Sequence, residues 1–120
     1  MILIVDDHLD TGTALARLLK KCGHEAVAVG SGLAALEMLE SMRPAVIVLD
    51  MMMPGMHGLE VLRRVREDAR VNDVPVVVYS ADYSFDTAER AMRLGAQEFI
   101  VKGTVGWDAL CEAILKYKAA

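Results

Sequence analysis

The sequence lacks most of what would place it in a specialised class. Its 120 residues hold two cysteines, Cys22 and Cys111, which form no CxxC pair and no metal-ligand spacing. The expectation is two reduced structural thiols in a cytoplasmic protein. No apolar run approaches the roughly 18 residues of a membrane span, so no membrane association is expected. Met1 runs directly into an apolar stretch, which gives the expectation of no leader peptide. There is no GxxxxGK loop, so phosphate cradling of the P-loop kind is excluded. There is no internal repeat, low-complexity tract or linker. Excess positive charge is also missing: the net charge is −4 and the pI about 5.3. That balance argues against direct nucleic-acid binding and against an anionic membrane surface.

What is present is enough for one core. Hydrophobic residues make up 54% of the chain, too many for a disordered segment. A chain of this length corresponds to one domain over residues 1–120 and buries about two thirds of its unfolded surface. Apolar runs fall at 2–5, 45–49, 74–79 and 98–101, with a weaker one at 25–29. They are β-branched and unbroken rather than alternating, the pattern of strands covered on both faces in a parallel sheet. Helical spacing fills the gaps at 10–22, 32–42, 58–68, 84–94 and 107–118. Leu15, Leu18, Leu19 and Cys22 share one helix face. Leu33, Leu36 and Leu39 mark the second, with Ser31 as its N-cap. The order is (βα)5: an α/β doubly wound five-stranded parallel sheet with helices on both faces and right-handed crossovers.

In such sheets the working site lies at the carboxyl ends of the strands. The first strand delivers Asp6 and Asp7 there, the third Asp50, the fourth Ser80 and the fifth Lys102. Each alone reads as a turn former, a cap or a surface charge. Together they place three carboxylates, a hydroxyl and an ammonium on one sheet edge. Crowded carboxylates raise one another's pKa unless a cation intervenes. Oxygen ligands suit a hard cation such as Mg²⁺, with Mn²⁺ an alternative. No cysteine or histidine stands where a nucleophile is needed; His8 reads as an exposed first-turn residue. What remains is a carboxylate nucleophile, a recognised phosphoryl acceptor. Lys102 and a metal would neutralise the phosphoryl oxygens, and Ser80 would donate a hydrogen bond to them. Met51, Met52, Met53 and Met56 read as flexible packing, because thioethers do not suit a hard-cation site.

These residues resemble the receiver domain of two-component response regulators. The matching pieces are "VDD" (5–7), "LDMMMPGMHG" (49–58), "YSA" (79–81) and "FIVK" (99–102). The resemblance covers essentially the whole chain and implies a flavodoxin-like strand order 2-1-3-4-5. It implies that Asp50 accepts the phosphoryl group from a histidine kinase or phosphotransfer protein. Asp7 would bind Mg²⁺ directly, Asp6 through water, and Met52 through its backbone carbonyl. Ser80 and Phe99 would be the switch residues and Lys102 the partner of the phosphoryl oxygens. Pro54 and Gly58 would shape the loop beside Asp50, the first by fixing φ and the second by allowing an unusual one. The implied output is a change in the surface of the last two helices and the strand between them. The partner would be a separate protein or an output domain outside this chain, with the protein a monomer or a phosphorylation-dependent dimer.

The sequence departs from the family at Gly103, where proline usually follows the lysine in a cis peptide. A non-proline cis bond costs about 2.5–4 kcal/mol, so a trans bond or a loose 102–106 loop is expected. His57 replaces a usual acidic or amide residue. Met52 and Asp82 occupy positions that in the family influence phosphoryl lifetime. Two other functions compete. An aspartyl-phosphate phosphatase needs a second Asp two residues after its nucleophile, where this chain has Met52. A receiver-like module that takes no phosphate would be expected to lack Asp7, Asp50 or Lys102, and all are present.

Overall fold

The structure, a computed structural model, describes residues 1–118. Five strands alternate with five helices: β1 (Ile2–Val5), α1 (Leu9–Lys21), β2 (Ala26–Val29), α2 (Gly32–Leu39), β3 (Val46–Leu49), α3 (Gly58–Glu67), β4 (Val76–Ser80), α4 (Phe85–Arg93), β5 (Glu98–Val101) and α5 (Trp107–Lys118). The strands form one parallel sheet in the order β2-β1-β3-β4-β5.

The unbroken apolar runs have a direct cause. Leu3, Val5, Ile47, Leu49, Val76 and Val78 pack against Ala35 and Leu39 of α2, Val61, Leu62 and Val65 of α3, and Ala91 of α4. The alternate residues Ile2, Ile4, Val46, Val48, Val77 and Tyr79 pack against Leu15, Ala16 and Leu19 of α1 and Leu110, Cys111 and Ile114 of α5. A central strand here has no solvent face, so alternation has nothing to select. Registers such as Val5 beside Leu49 and Leu49 beside Val78 bring the carboxyl ends of β1, β3 and β4 to one level. The next residues in each chain segment therefore meet.

Several expectations need correcting. β5 is a sheet edge, and all four of its residues are half-buried rather than covered on both faces. α2 stops at Leu39, three residues short of the expected end, with Glu40 at its C-cap. Leu33 is 59% exposed because α2 seats itself through Gly32, Ala35 and Leu39, an i, i+3, i+7 stripe rotated away from Leu33. Cys22 is the exposed C-cap of α1 rather than part of its buried face, whereas Cys111 is buried. Trp107, the first residue of α5, is 42% exposed. The Ser31 cap is as expected, its hydroxyl accepting the Ala34 N–H at 3.1 Å.

Candidate functional site

Two short polar segments follow the two most buried strands. The Asp50 N–H donates to the Val5 carbonyl at 2.9 Å, which holds the end of β3 against the end of β1. Asp6 and Asp50 are then 4% and 2% exposed, and Ser80, the last residue of β4, is fully buried. The Lys102 N–H donates to the Ser80 carbonyl at 2.8 Å, and this carries the lysine in from the edge strand. Its Nζ stands 2.8 Å from Asp6 Oδ2 and 3.7 Å from Asp50 Oδ2. The bond between Lys102 and Gly103 is trans, since no cis peptide occurs among the described residues, and Gly103 has φ +87°. Lys102 nonetheless reaches the site. It is steered by Asp6 and by the Tyr79 ring, whose centroid lies 5.8 Å from Nζ.

The three carboxylates have different duties. Asp6 is largely committed: Oδ2 faces Lys102, and Oδ1 accepts the His8 N–H at 2.8 Å. Asp50 Oδ1 accepts the Met52 N–H at 3.3 Å. Asp7 Oδ1 is buried and has no hydrogen-bond partner. A buried carboxylate oxygen without a donor is costly, and a cation is the partner that would relieve it. One donor atom each from Asp6, Asp7, His8 and Asp50 lies within 4.8 Å of all the others. This donor set fits a divalent cation, with Asp7 the most available ligand.

Burial pushes the Asp50 carboxyl above its ordinary value; the Ser80 hydroxyl and the Lys102 ammonium pull it back, and Asp6 adds to the rise. Ser80 Oγ accepts the Met51 N–H at 3.4 Å and the Asp82 N–H at 3.3 Å. Asp82 is occupied as a turn former, its Oδ1 accepting the Ser84 N–H at 2.8 Å. Phe99 is half-buried and packs against the α2–α3–α4 side of the core.

The loop after Asp50 corrects one reading. The unusual φ belongs to Gly55 (+83°), not to Gly58. Gly58 is required by space: a Cβ there would sit 2.3 Å from the Asp50 carbonyl oxygen and 2.6 Å from Met51 Cα. The Gly58 N–H closes the loop onto the Met51 carbonyl at 2.8 Å, and exposed Pro54 lies at its turn. His57 caps α3, its Nδ1 accepting the Leu59 N–H at 3.1 Å. Two neighbours of the site were not legible as such. His8 is 67% exposed as expected, but its Nδ1 lies 3.4 Å from Asp7 Oδ1 and 3.5 Å from Asp6 Oδ1. Tyr79 reads in sequence as one more apolar strand residue.

The family pattern described as the response regulator receiver domain matches residues 2–115, and the chain belongs to that family. It is a phosphoaccepting signalling domain. Domains of this family generally take phosphate from a histidine kinase or phosphotransfer protein and use Mg²⁺ at an acidic Asp cluster. Among relatives, the two-component response regulator ORR3 of Oryza sativa is 36% identical over 117 residues, covering 95% of this chain and 89% of that protein. The transcriptional regulatory protein PrrA of Mycobacterium tuberculosis is 37% identical over 118 residues, covering 98% of this chain but 48% of the longer protein. The chemotaxis protein CheY4 of Vibrio cholerae shares the fold at a TM-score of 0.88 and 24% identity, covering 97% of this chain and 96% of that one. The phosphorylated cyanobacterial phytochrome response regulator RcpA is 26% identical with a TM-score of 0.82, covering 94% and 86%.

Proposed function

We propose that Asp50 is the phosphoacceptor of this domain and that residues 1–120 act as one receiver unit. The observation that carries this is the setting of Asp50: 2% exposed, with an ammonium 3.7 Å away and an unsatisfied Asp7 oxygen in the same cluster. A carboxylate oxygen of Asp50 bonds to phosphorus while the P–N bond of the donor's phosphohistidine breaks. Asp7, Asp50 and the Met52 carbonyl would hold Mg²⁺ or Mn²⁺, with Asp6 acting through water. The bound cation supplies charge neutralisation for the phosphoryl oxygens. Lys102 supplies the second positive charge and pivots from Asp6 toward the new phosphoryl group. Ser80 turns its hydroxyl to the same group, and the half-buried Phe99 moves with it.

The new charge thereby reaches the α4-β5-α5 surface, which controls a partner protein or an output domain outside this chain. The chemistry is self-phosphorylation and autodephosphorylation, not turnover of a separate substrate. Among the described residues no helix is long and apolar enough to cross a membrane. With the acidic balance of the chain, this supports a cytoplasmic domain without direct membrane or nucleic-acid contact, monomeric or dimerising on phosphorylation.

Incubation with Mg²⁺ and acetyl phosphate should add one phosphoryl group to Asp50, read by mass spectrometry. Asp50→Asn or a chelator should abolish it. Persistent labelling of Asp50→Asn would overturn the assignment. Failure of the intact protein to be labelled or to bind beryllofluoride would favour a module that takes no phosphate.

A further inference from the structure

The N-cap of α1 is used differently from its neighbours. Ser31, His57 and Ser84 cap α2, α3 and α4 by accepting a backbone N–H on the side chain. His8 caps α1 with no such bond. Its ring is turned instead to the carboxylates, with Nδ1 3.4 Å from Asp7 Oδ1 and 3.5 Å from Asp6 Oδ1. The His8 N–H is tied to Asp6 Oδ1 at 2.8 Å, so the backbone carrying the ring is anchored in the acidic cluster. A cavity of about 510 Å³ lined by Asp7, His8, Leu9, Asp10 and Thr11 opens beside it.

We infer that His8 is an additional metal ligand that turns this acidic site into a mixed nitrogen–oxygen site favouring first-row transition cations over Mg²⁺. The inference rests on the receiver-site reading above and deepens it. Its geometry is simple. Donors about 2.1 Å from an octahedral ion lie about 3.0 Å apart when adjacent and about 4.2 Å apart when opposite. The 3.4 Å separation of His8 Nδ1 from Asp7 Oδ1, the direct carboxylate ligand, falls in this range, and the 4.8 Å spread of the four-residue cluster, which includes the water-linked Asp6, is only slightly wider. An inward movement of a few tenths of an ångström closes the set. Asp7 Oδ1, the oxygen without a partner, is the atom nearest the imidazole of these two contacts.

The chemistry separates the candidate ions. Mg²⁺ takes oxygen ligands and keeps its waters, so an imidazole adds little for it. Ions from Mn²⁺ through Co²⁺ to Zn²⁺ accept imidazole readily, and their affinity for nitrogen donors rises along that series. The His8 contribution is therefore a change of preference among ions, present whether or not Asp50 carries a phosphoryl group.

Titration of the intact protein with Co²⁺ and with Mg²⁺ by calorimetry tests this. Imidazole resonances of the three histidines are followed by NMR during the Co²⁺ titration. His8 should show paramagnetic shifts in the first equivalent, and Co²⁺ should bind more tightly than Mg²⁺. In His8→Ala the ratio of Co²⁺ to Mg²⁺ affinity should fall about tenfold or more. His8→Phe, which keeps the bulk of the ring without its nitrogens, should give the same fall. With the side chain 67% exposed and making no cap bond, both variants should fold. If both ions bind but neither variant changes the ratio, or if both variants bind both ions more tightly, His8 is not a ligand and the Mg²⁺ reading survives. If neither ion binds the intact protein, or if Asp7→Asn leaves Mg²⁺ affinity unchanged, the receiver-site reading fails as well.

Discussion

Asp50 is a carboxyl group in a place that disfavours charge, and its stability effect can be given a sign. Burial raises its folded-state pKa above the unfolded value of about 3.9. The penalty is absent below about pH 4, where both states are protonated. It grows as pH rises through the folded-state value and is constant above it. In metal-free buffer at pH 7, Asp50→Asn should therefore melt on the order of 3 °C higher than the wild type. The advantage should vanish on titration to about pH 3.5, as read by thermal unfolding across pH. Saturating Mg²⁺ should narrow it too, since ligand binding stabilises the wild-type fold. A gap that persists unchanged at pH 3.5 would mean that it does not arise from ionisation of Asp50.

At the scale of elements, two contacts set where the site loops lie. Gly58 begins α3 directly against the Asp50 backbone, and a methyl group there would meet the Asp50 carbonyl oxygen at 2.3 Å. Backbone cannot yield as a flexible side chain can, so Gly58→Ala should lower stability by about 3 kcal/mol in urea unfolding. Phosphorylation by acetyl phosphate should slow with it, because the 51–57 loop must shift. Arg66 of α3 works at the opposite end of the sheet. It donates to the carbonyls of Asn72, Val74 and Gly95 at 3.3, 2.9 and 2.8 Å, and to Gln97 Oε1 at 3.3 Å. It thereby ties α3 to the entries of both β4 and β5. Arg66→Met should cost about 2 kcal/mol by leaving these acceptors unpaired, while leaving the acetyl phosphate reaction intact. The elements themselves were legible, because unbroken β-branched runs and 3.6-residue spacing reflect burial that these helices do supply. Leu33 was misread because an i, i+3 stripe of leucines does not say which stripe a close neighbour selects. Gly32 lets α2 approach Val61 closely, and that contact chose Ala35 and Leu39 instead.

For the whole molecule, the sheet edge was legible because four strands each deliver a polar residue to it. The pairing of those residues was not. Which oxygen of Asp6 meets Lys102, and which of Asp7 meets nothing, depends on side-chain angles that residue order does not encode. His8 lay hidden for a related reason: its neighbours in sequence are acidic, but an exposed histidine beside acids has no periodicity to reveal it. The fully buried Ser80 carries one more consequence. Its resting position is held by two long acceptor bonds, from Met51 and Asp82, one on each flanking loop. If each contributes about 1 kcal/mol, releasing Ser80 costs about 2 kcal/mol, and about 3% of molecules adopt the released arrangement without any phosphoryl group. The resting arrangement of Ser80 is therefore never fully populated. A relaxation-dispersion experiment on the Met51 and Asp82 amides of the unphosphorylated protein should see this minority, and Ser80→Ala, which removes the acceptor, should abolish the exchange. How firmly Ser80 keeps its place is then set by two amide protons.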